Sequence, residues 1–558
     1  MSRLRWDCGE SKEADPGIGA AVMQQYIIPS IIGFLMLLLI AGIIIRLRYP
    51  LPPLGDRPAP RPPGDTGNTP LGRGAATAME GHHGLSGIHL LDDRREAFAA
   101  RILLAREAKR CLDLQYYIWQ NDLSGTLMLE TVREAADRGV YVRMLLDDNG
   151  TTGLDATLGA LARHPNIEIR LFNPFVLRKP KLLGYLADFP RLNRRMHNKS
   201  FVADNQAAII GGRNIGDEYF GARQQGLYAD LDVLAIGPVV RDVSNDFDRY
   251  WASPSAYPAD SILPPVPEGD LAGLSAQAAL VEQDPAAQTY VSAVRSLPFN
   301  KQVVSGTLPF EWAQVRMISD DPAKALGRAR QDRLLAPTLG RIIGRPRRNL
   351  RLISGYFVPT QAGVDTLAAT AAQGRDLAIF TNAFEATDVW IVHAGYAGRR
   401  KALLRAGVRL FEMRRPARER TAADRRKLMS TGSGSDGSGV KEGPVLRSSN
   451  ATLHAKTLII DSEKIFIGSF NFDPRSVHLN TELGFIIESP KLATYMAKGF
   501  ADHVPQVAYE VILTQGGKLA WREQDTQGEK LHRTEPGTSR FQRFGITFLS
   551  HMPIEWML

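Results

Sequence analysis

A short stretch that occurs twice constrains this 558-residue chain more than any other feature. The first copy runs from Met196 to Asp204 and is followed by Gly211-Gly212-Arg213-Asn214. The second runs from Leu453 to Asp461 and is followed by Gly468-Ser469-Phe470-Asn471. Both follow the pattern His-x-Lys-x4-Asp-x6-Gly-[Gly/Ser]-x-Asn with the same spacing at every fixed position, which indicates a duplicated structural unit.

The residues around the fixed Asp of each copy predict a pair of strands. In both copies an apolar or β-prone run reaches a polar turn, and a second apolar run follows it. Side chains on a strand alternate between its faces, so a His and a Lys two residues apart are expected to project together. Asp204 and Asp461 would point the other way, and we interpret them as structural or supporting residues.

The remaining fixed positions indicate a close approach of the backbone to a pocket. Small residues there are structural parts of the motif: Gly211, Gly212, Gly468 and Ser469. Asn214 and Asn471 follow these small residues, which suits an amide aimed into a pocket.

Two such units together would supply two His, two Lys and two Asn, from His197, Lys199, Asn214, His454, Lys456 and Asn471. Two cations and two amide donors favour an anion, and phosphate suits them best. Two imidazoles offer a nucleophile and a general acid in one pocket. No cluster of residues has convincing metal-ligand spacing, so we expect neither a metal nor a cofactor.

The paired motifs resemble the HKD motifs of the phospholipase D superfamily, in which two halves share one active site. The resemblance implies that His197 forms a phosphohistidine and that His454 acts as acid and base. It implies that Lys199, Lys456, Asn214 and Asn471 hold the phosphate oxygens. It also implies an acidic residue on the next strand that orients each His, namely Asp230 (or Asp232, which competes with it) in the first half and Glu482 in the second.

Composition sets wider limits on the fold and the partners. The length suits two or more domains, and 44% hydrophobic with 23% charged residues is typical of a folded globular protein. Cys8 and Cys111 are the only cysteines, so no disulfide framework is implied. A net charge of +9 favours an anionic partner, and both a membrane surface and nucleic acid qualify.

The N-terminal region predicts a membrane anchor. After a polar tail at 1–26, residues 27–45 form an uncharged apolar run that can just span a bilayer core. Its length and the absence of a clear cleavage site favour an uncleaved anchor over a signal peptide. Four arginines lie in the twenty residues after the run, against Lys12 alone in the twenty before it, while Arg3 and Arg5 lie just outside that window. The positive-inside rule therefore favours a cytoplasmic location for the remainder, and the opposite orientation stays open. Residues 46–86 are rich in Pro and Gly and predict a linker.

Alternating strand and helix patterns then predict an α/β fold. We expect two similar phospholipase D-like halves with mainly parallel or mixed sheets, packed about a pseudo-two-fold. The predicted divisions are a first half at 87–255, a linker at 256–289, a second half at 290–515 with a flexible insertion at 414–443, and a C-terminal tail at 516–558. Phe541, Phe544, Phe548 and Trp556 in this tail suit either a membrane interface or packing onto the domain.

A basic segment precedes the first motif and contains Arg178, Lys179, Lys181, Arg191, Arg194 and Arg195. Two interpretations remain open for it: a solvated charged loop, or a patch that binds lipid headgroups or steers phosphate.

From about Gly87 onward the amino-acid sequence is similar to that of bacterial cardiolipin synthases of the C type, as in Ser319-Asp320-Asp321-Pro322-Ala323-Lys324 and Pro553-Ile554-Glu555-Trp556. This resemblance implies an enzyme of the bacterial inner membrane that joins phosphatidylglycerol to a phosphatidyl group from a second phospholipid, either phosphatidylglycerol or phosphatidylethanolamine. The single-pass N-terminal anchor and the Pro-rich linker are a departure from this resemblance, because they match no pattern of the family. A phospholipase D that releases phosphatidic acid is the first alternative. A nuclease is less expected because the chain has a predicted membrane anchor, and nucleic acid is therefore not an expected partner. A non-catalytic adaptor is less expected because both motifs are complete.

Overall fold

The computed structural model describes residues 28–55, 64–222, 226–265, 270–387, 389–415, 451–525 and 528–550. The predicted tail at 1–26, nearly all of the predicted insertion at 414–443, and Trp556 lie outside these ranges. The chain divides into two compact units. One contains Met1–Pro52 and Phe175–Asn193, and the other contains Pro53–Pro174 and Arg194–Leu558.

The described α-helices follow the chain as α1 Ile28–Arg48, α2 Pro70–Ala78, α3 Arg94–Glu107, α4 Leu123–Asp137, α5 Asp155–Leu161, α6 Gly184–Leu192, α7 Asp217–Phe220, α8 Pro238–Trp251, α9 Asp270–Gln283, α10 Pro285–Arg295, α11 Pro298–Val304, α12 Leu335–Ile343, α13 Gln361–Ala371, α14 Trp390–Ala397, α15 Arg400–Arg405, α16 Pro474–His478, α17 Pro490–Val507 and α18 Arg540–Ser550. The described strands are β1 Ser86–Leu91, β2 Cys111–Ile118, β3 Tyr141–Gly150, β4 Ile167–Phe172, β5 Ser200–Ala203, β6 Ala207–Gly211, β7 Leu227–Ala229, β8 Asp232–Ile236, β9 Ala256–Pro258, β10 Glu311–Ser319, β11 Asn349–Ser354, β12 Asp376–Asn382, β13 Arg409–Met413, β14 Ala451–Leu453, β15 Lys456–Ile460, β16 Lys464–Gly468, β17 Leu483–Glu488, β18 Ala508–Leu513, β19 Leu519–Asp525 and β20 Gly528–His532.

In the smaller unit, α1 is long and apolar enough to cross a bilayer, by length and composition. It contains residues 28–45 of the predicted span and continues to Arg48. Most of its large apolar side chains are exposed. Helix α6 packs against it within the same unit.

The larger unit is built on one mixed sheet of 18 strands. Its order, read through the pairings, is β9-β4-β3-β2-β5-β6-β8-β1-β10-β17-β16-β15-β11-β12-β13-β18-β19-β20. Parallel pairs occur within β2-β3-β4 and within β11-β12-β13. A separate parallel pair joins β7 to β14.

This order repeats itself about the antiparallel pair of β1 and β10. Outward from β1 the strands run β8, β6, β5, β2, β3, β4 and β9, and outward from β10 they run β17, β16, β15, β11, β12, β13 and β18. The predicted α/β fold with two similar halves is confirmed, and the mirrored order gives it the expected pseudo-two-fold. The duplicated motif occupies the same strands in each half, β5 and β6 or β15 and β16.

One hydrophobic core joins the two halves. It contains Ile210 and Val233 from the first half together with Ile459, Ile467 and Phe485 from the second. All five side chains are almost fully buried. Separating the halves would expose this apolar surface to water, so the two motifs are held in a fixed relationship.

The fixed Asp of each motif closes its hairpin onto the preceding segment of its own half. Asp204 accepts backbone N–H bonds from Lys109, Arg110 and Cys111, the shortest at 2.7 Å. Asp461 accepts the equivalent bonds, 2.7–3.0 Å long, from residues 347–349. Both Asp residues also have positive φ angles, near 49° and 56°, at the tight turn. These contacts are structural.

Several segments that were expected to be linkers are ordered elements. The predicted linker at 256–289 contains α9 and the start of α10, and the predicted linker at 46–86 contains α2. The tail at 516–558 supplies β19, β20 and α18, so its first part belongs to the sheet of the second half. Helices α2 and α10 both begin at a proline. A proline interrupts the interior of a helix but suits its first position, where no backbone N–H is required.

Candidate active site

Each motif histidine is tied by its backbone to the opposite half. The His197 N–H donates to the carbonyl of Thr481 at 2.9 Å, and the Thr481 N–H donates to Arg195 at 3.0 Å. The His454 N–H donates to the carbonyl of Ala229 at 2.8 Å, next to the β7–β14 pair. The prediction that each His lies on the strand is wrong, because His197 lies three residues before β5 and His454 lies two residues before β15.

The carboxylate partners of the two imidazoles are crossed between the halves. Nδ1 of His197 lies 2.9 Å from Oε2 of Glu482, which belongs to the second half. Nδ1 of His454 lies 2.5 Å from Oδ2 of Asp230, which belongs to the first half. The resemblance pointed to both carboxylates, but it assigned each to the histidine of its own half. The structure assigns each to the histidine of the other half, because the segment before each motif lies against the segment that bears the other carboxylate.

Asp232 does not contact either imidazole in the described structure. It bonds Arg101 at 2.8 Å and the Arg213 N–H at 3.1 Å. The Arg213 guanidinium in turn donates to the carbonyl of Asp230 at 2.7 Å. Asp232 therefore stabilises the loop that carries Asp230, and the geometry favours Asp230 over its competitor.

The two motif lysines lie beside their histidines. Lys199 Nζ donates to the carbonyl of His197 at 2.5 Å, and Lys456 Nζ donates to the carbonyl of His454. Burial lowers the pKa of Lys199 to about 7, and the charge of Lys456 contributes in the same direction. The two motifs therefore form one buried cationic cluster, which favours an anionic ligand.

The small motif residues allow the carboxylates to approach. A Cβ on Gly212 would lie 2.1 Å from Oδ1 of Asp230, and a Cβ on Gly211 would lie 2.1 Å from Oδ1 of Asp232. In the second half, a Cβ on Gly468 would lie 2.2 Å from the Leu483 carbonyl. Only glycine fits at these three positions.

Ser469 replaces the second glycine in the second motif. Its hydroxyl donates to Oε2 of Glu482 at 2.5 Å. Ser476 Oγ adds a bond of 2.9 Å to Oε1 of the same carboxylate. In the second half, the Glu482 side chain and the two hydroxyls therefore occupy the position that corresponds to the one of Asp230 beside Gly212 in the first half.

The two motif asparagines differ in their environments. Asn214 accepts a bond from the Ile118 N–H at 3.1 Å and donates to the Tyr219 hydroxyl at 2.9 Å. Its amide therefore already holds β2 in place. Oδ1 of Asn471 is buried without a hydrogen-bond partner among the described residues. The phosphate-binding role of both asparagines remains a prediction.

The ionisation of the two histidine–carboxylate pairs is asymmetric. Burial, with the nearby Lys199 and Lys456, lowers the pKa of His197 well below its usual value. Burial and Lys456 also lower the pKa of His454, while Asp230 opposes them. Burial would raise the pKa of Asp230, but His454 and Lys456 outweigh it and lower that pKa. Burial raises the pKa of Glu482 to about 7.

A buried ion pair behind Glu482 was not predicted as part of the site. Asp320 Oδ2 accepts the Glu482 N–H at 3.0 Å and bonds Lys324 Nζ at 2.9 Å. Lys324 also donates to the Ser476 carbonyl at 2.8 Å. Both charged residues lie in the segment 319–324, which resembles bacterial cardiolipin synthases of the C type. This resemblance is the one feature of the sequence analysis that pointed to Asp320 and Lys324.

Aromatic rings flank both imidazoles. Tyr117 lies edge-on to His197 with the ring centroids 5.0 Å apart. Tyr228, Tyr219 and Tyr356 lie 4.9, 5.5 and 6.4 Å from His454. Each histidine is nevertheless 6–7% exposed, so a ligand can reach it. Within the described ranges no group of three His, Cys, Asp or Glu residues could hold a metal ion.

This duplicated fold, with paired His and Lys residues at the junction of its halves, defines a phospholipase D-like protein. The family described as "Cardiolipin synthase, PLD-like domain" matches residues 102–251 and 339–504, which together make up more than half of the chain. The chain belongs to this family.

The chain is also similar to individual proteins. Cardiolipin synthase C of Escherichia coli K12 is 46% identical over 477 residues, which cover 86% of this chain and 97% of that protein. A cardiolipin synthase of Staphylococcus aureus Mu50 is 25% identical over 74% of this chain and 66% of its own length. The crystal structure of phosphatidylserine synthase from Haemophilus influenzae aligns with 14% identity over 78% of this chain and 92% of that chain, with a TM-score of 0.49.

Proposed function

We propose that this chain is a phosphatidyltransferase that makes cardiolipin from phosphatidylglycerol and a second phospholipid through a phosphohistidine intermediate. The observation that carries the proposal is the pair of buried histidines, each bonded to a carboxylate of the other half and each beside a lysine. The 46% identity to an Escherichia coli cardiolipin synthase supports the substrate class.

In the first step, Nε2 of His197 attacks the phosphorus of the donor lipid. The P–N bond forms as the bond from phosphorus to the headgroup oxygen breaks, and His454 gives its proton to that oxygen. The strongly lowered pKa of His197 supports this order, since a neutral imidazole has the lone pair that a nucleophile requires. Burial and Lys456 also lower the pKa of His454, but the ionised Asp230 opposes them, so His454 is better suited than His197 to carry the proton that an acid needs.

In the second step, His454 takes the proton from a hydroxyl of phosphatidylglycerol, and that oxygen attacks the phosphorus. The P–N bond breaks and returns His197 to its neutral form. Glu482 holds the Nδ1 proton of His197 through both steps and fixes its tautomer. Lys199 and Lys456 balance the charge of the phosphate oxygens.

The same intermediate with water as acceptor would release phosphatidic acid. Burial of both histidines and the tyrosine rings around His454 limit water at the site, which supports transfer over hydrolysis. The choice of donor, between phosphatidylglycerol and phosphatidylethanolamine, is left to experiment.

Lipid mass spectrometry on a bacterial host without cardiolipin synthases of its own tests the proposal. We expect cardiolipin to appear with the intact chain and to be absent with His197→Ala at equal protein abundance. Phosphatidic acid without cardiolipin would make the chain a hydrolase, and an unchanged lipid profile would overturn the proposal. Labelling the headgroup of either donor then identifies the donor.

The proposed location is the inner membrane, with α1 as a single anchor and the larger unit in the cytoplasm. Arg46 and Arg48 at the C-terminal end of α1 support this orientation. A reporter fused after Leu558 that is active only in the periplasm should remain inactive, whereas activity would reverse the orientation.

A further inference from the structure

The segment at residues 175–193, here called the inserted segment, packs on α1 and approaches it closely at Gly42. It forms one compact unit with the N-terminal region. Gly42 is the one buried residue of α1, and a Cβ there would lie 2.4 Å from the carbonyl oxygen of Leu186. The backbones of α1 and α6 therefore touch, which a larger residue at position 42 would prevent.

Gly42 sets the depth of the inserted segment in a bilayer. The 21 residues of α1 correspond to a length of about 31 Å, close to the hydrocarbon thickness of a membrane. Gly42 lies six residues before Arg48, so it is about 9 Å along the axis from the basic end of α1. Interfacial amphipathic segments bury their apolar side chains to a depth of about 5–10 Å. The contact at Gly42 therefore places the inserted segment at interfacial depth.

The surface of the inserted segment has the chemistry of a membrane interface. Its exposed large apolar residues are Leu182 (76% exposed), Leu183 (43%), Leu186 (40%) and Phe189 (48%). A cluster of this kind on a soluble surface marks a binding region. Its basic residues are Arg178, Lys179, Lys181 and Arg191, and its single carboxylate, Asp188, bonds Arg191 at 2.5 Å. This charge balance complements anionic lipid headgroups.

We propose that the inserted segment is a second membrane-docking element that lies in the bilayer interface beside α1. Leu182, Leu183 and Phe189 contact the acyl chains, and the basic side chains contact anionic headgroups. For residues 178–191 the proposal favours a patch that binds lipid headgroups over a solvated charged loop. The docking goes beyond the proposed reaction and does not depend on it.

Depth-dependent quenching on the full chain tests the docking directly. Cys8→Ser removes one native cysteine, and the other, Cys111, is buried. In this background the thiol of Leu182→Cys is labelled with an environment-sensitive fluorophore, and the protein is placed in vesicles of phosphatidylglycerol and phosphatidylcholine. Leu531→Cys, an exposed leucine in β20, is the matched control. We expect nitroxide on the lipid acyl chains to quench the Leu182 label strongly and the Leu531 label weakly. Equal quenching of both labels would overturn the proposal.

Two glycines of α1 provide a matched pair for the packing contact. Gly42→Leu should displace the inserted segment and reduce quenching of the Leu182 label by about half or more, since the new side chain collides with the backbone of α6. Gly33→Leu should leave quenching unchanged, because a Cβ there meets no atom within 4 Å. Loss of quenching in both variants would indicate damage to the anchor itself and remove Gly42 from the proposal.

Activity on two physical forms of one lipid separates docking from catalysis. Leu182→Ser combined with Phe189→Ser should reduce turnover of phosphatidylglycerol vesicles by about tenfold or more, from the loss of buried apolar area. Turnover of a short-chain, monomeric phosphatidylglycerol should be unchanged. An equal loss on both forms would contradict docking. If the unaltered chain turns over neither form, the proposed function fails, while the quenching experiment still decides the docking.

Discussion

Glu482 of the second half bonds the imidazole of His197 in the first half, with 2.9 Å between Oε2 and Nδ1. Asp230 of the first half makes the reciprocal bond to His454. Each half therefore supplies one histidine and the carboxylate that orients the histidine of the other half. Neither motif histidine takes its carboxylate partner from its own half, so both halves are needed to complete the site.

Removing either imidazole should abolish transfer without unfolding the protein. We expect His197→Ala and His454→Ala to lower turnover by about 10⁴-fold or more, since the nucleophile and the acid act as one unit. Thermal unfolding should shift little because both side chains face a ligand. In His454→Ala, rapid-quench mass spectrometry should still detect a phosphatidyl group on His197 with a donor that has a good leaving group. A phosphatidyl group found on His454 in His197→Ala would reverse the two roles.

Neutralising the crossed carboxylates should reduce the rate through the imidazole of the opposite half. We expect Glu482→Gln and Asp230→Asn each to lower kcat by about 10²–10⁴-fold with a smaller change in KM, since each amide leaves its imidazole in the wrong tautomer. Asp232→Asn is the comparison, and it should mainly reduce stability because Asp232 bonds Arg101. Full activity in Glu482→Gln and Asp230→Asn would remove both carboxylates from the site.

The pH profile of transfer should be narrow and centred near neutrality. Glu482 has a pKa of about 7 and must be ionised to accept the His197 proton, so the rate rises with pH through that value. Lys199 also has a pKa of about 7 and must be protonated to bind phosphate, so the rate falls above it. Lys199→Arg should extend the alkaline limb, because arginine stays charged. A profile in Lys199→Arg that matches the unaltered chain would contradict this assignment.

The same ionisation has a consequence for stability. The folded-state pKa of Glu482 is above its usual value of 4.5, so the native state binds the extra proton between about pH 4.5 and 7. The stability from this group is present below that window and is lost as the pH rises through it. Urea unfolding at several pH values should show a weaker decline in Glu482→Gln than in the unaltered chain. Parallel declines would show that another group titrates.

Gly212 should tolerate no side chain. A Cβ at this position would lie 2.1 Å from the Asp230 carboxylate, so Gly212→Ala should displace Asp230 from His454 and lower kcat by about 10²-fold or more. Gly340→Ala is the control, since no atom lies within 4 Å of the added methyl group. Kinetics at saturating lipid would measure both. Near-normal kcat in Gly212→Ala would mean that the tight approach to Asp230 is not required.

The buried pair of Asp320 and Lys324 should contribute to stability more than a surface pair. Lys324→Ala leaves the Asp320 carboxylate buried and unpaired, at a cost of about 3–5 kcal/mol. Arg330→Ala breaks an exposed pair with Asp332 and should cost less than about 1 kcal/mol. Urea unfolding monitored by tryptophan fluorescence compares the two. Similar losses would indicate that Lys324 is not the main partner of Asp320.

The sequence by itself determined the duplicated motif, the hairpin that carries each copy, and the set of residue types at the site. These features depend on spacing along the chain: strand periodicity, turn chemistry around Asp204 and Asp461, and small residues before Asn214 and Asn471. Pro70 belonged to the Pro- and Gly-rich composition that predicted a linker at 46–86, yet it begins α2, because a proline at the start of a helix and one in a linker look alike in sequence.

Only the tertiary structure decided which carboxylate serves which histidine. The contacts from His197 to Glu482 and from His454 to Asp230 join residues more than two hundred positions apart, and no local pattern records such a pairing. The contact of Gly42 with Leu186 is of the same kind, since it depends on two helices that come together only on folding. Spacing along the chain fixes local geometry, whereas long-range partners follow from how complete elements bury their apolar faces.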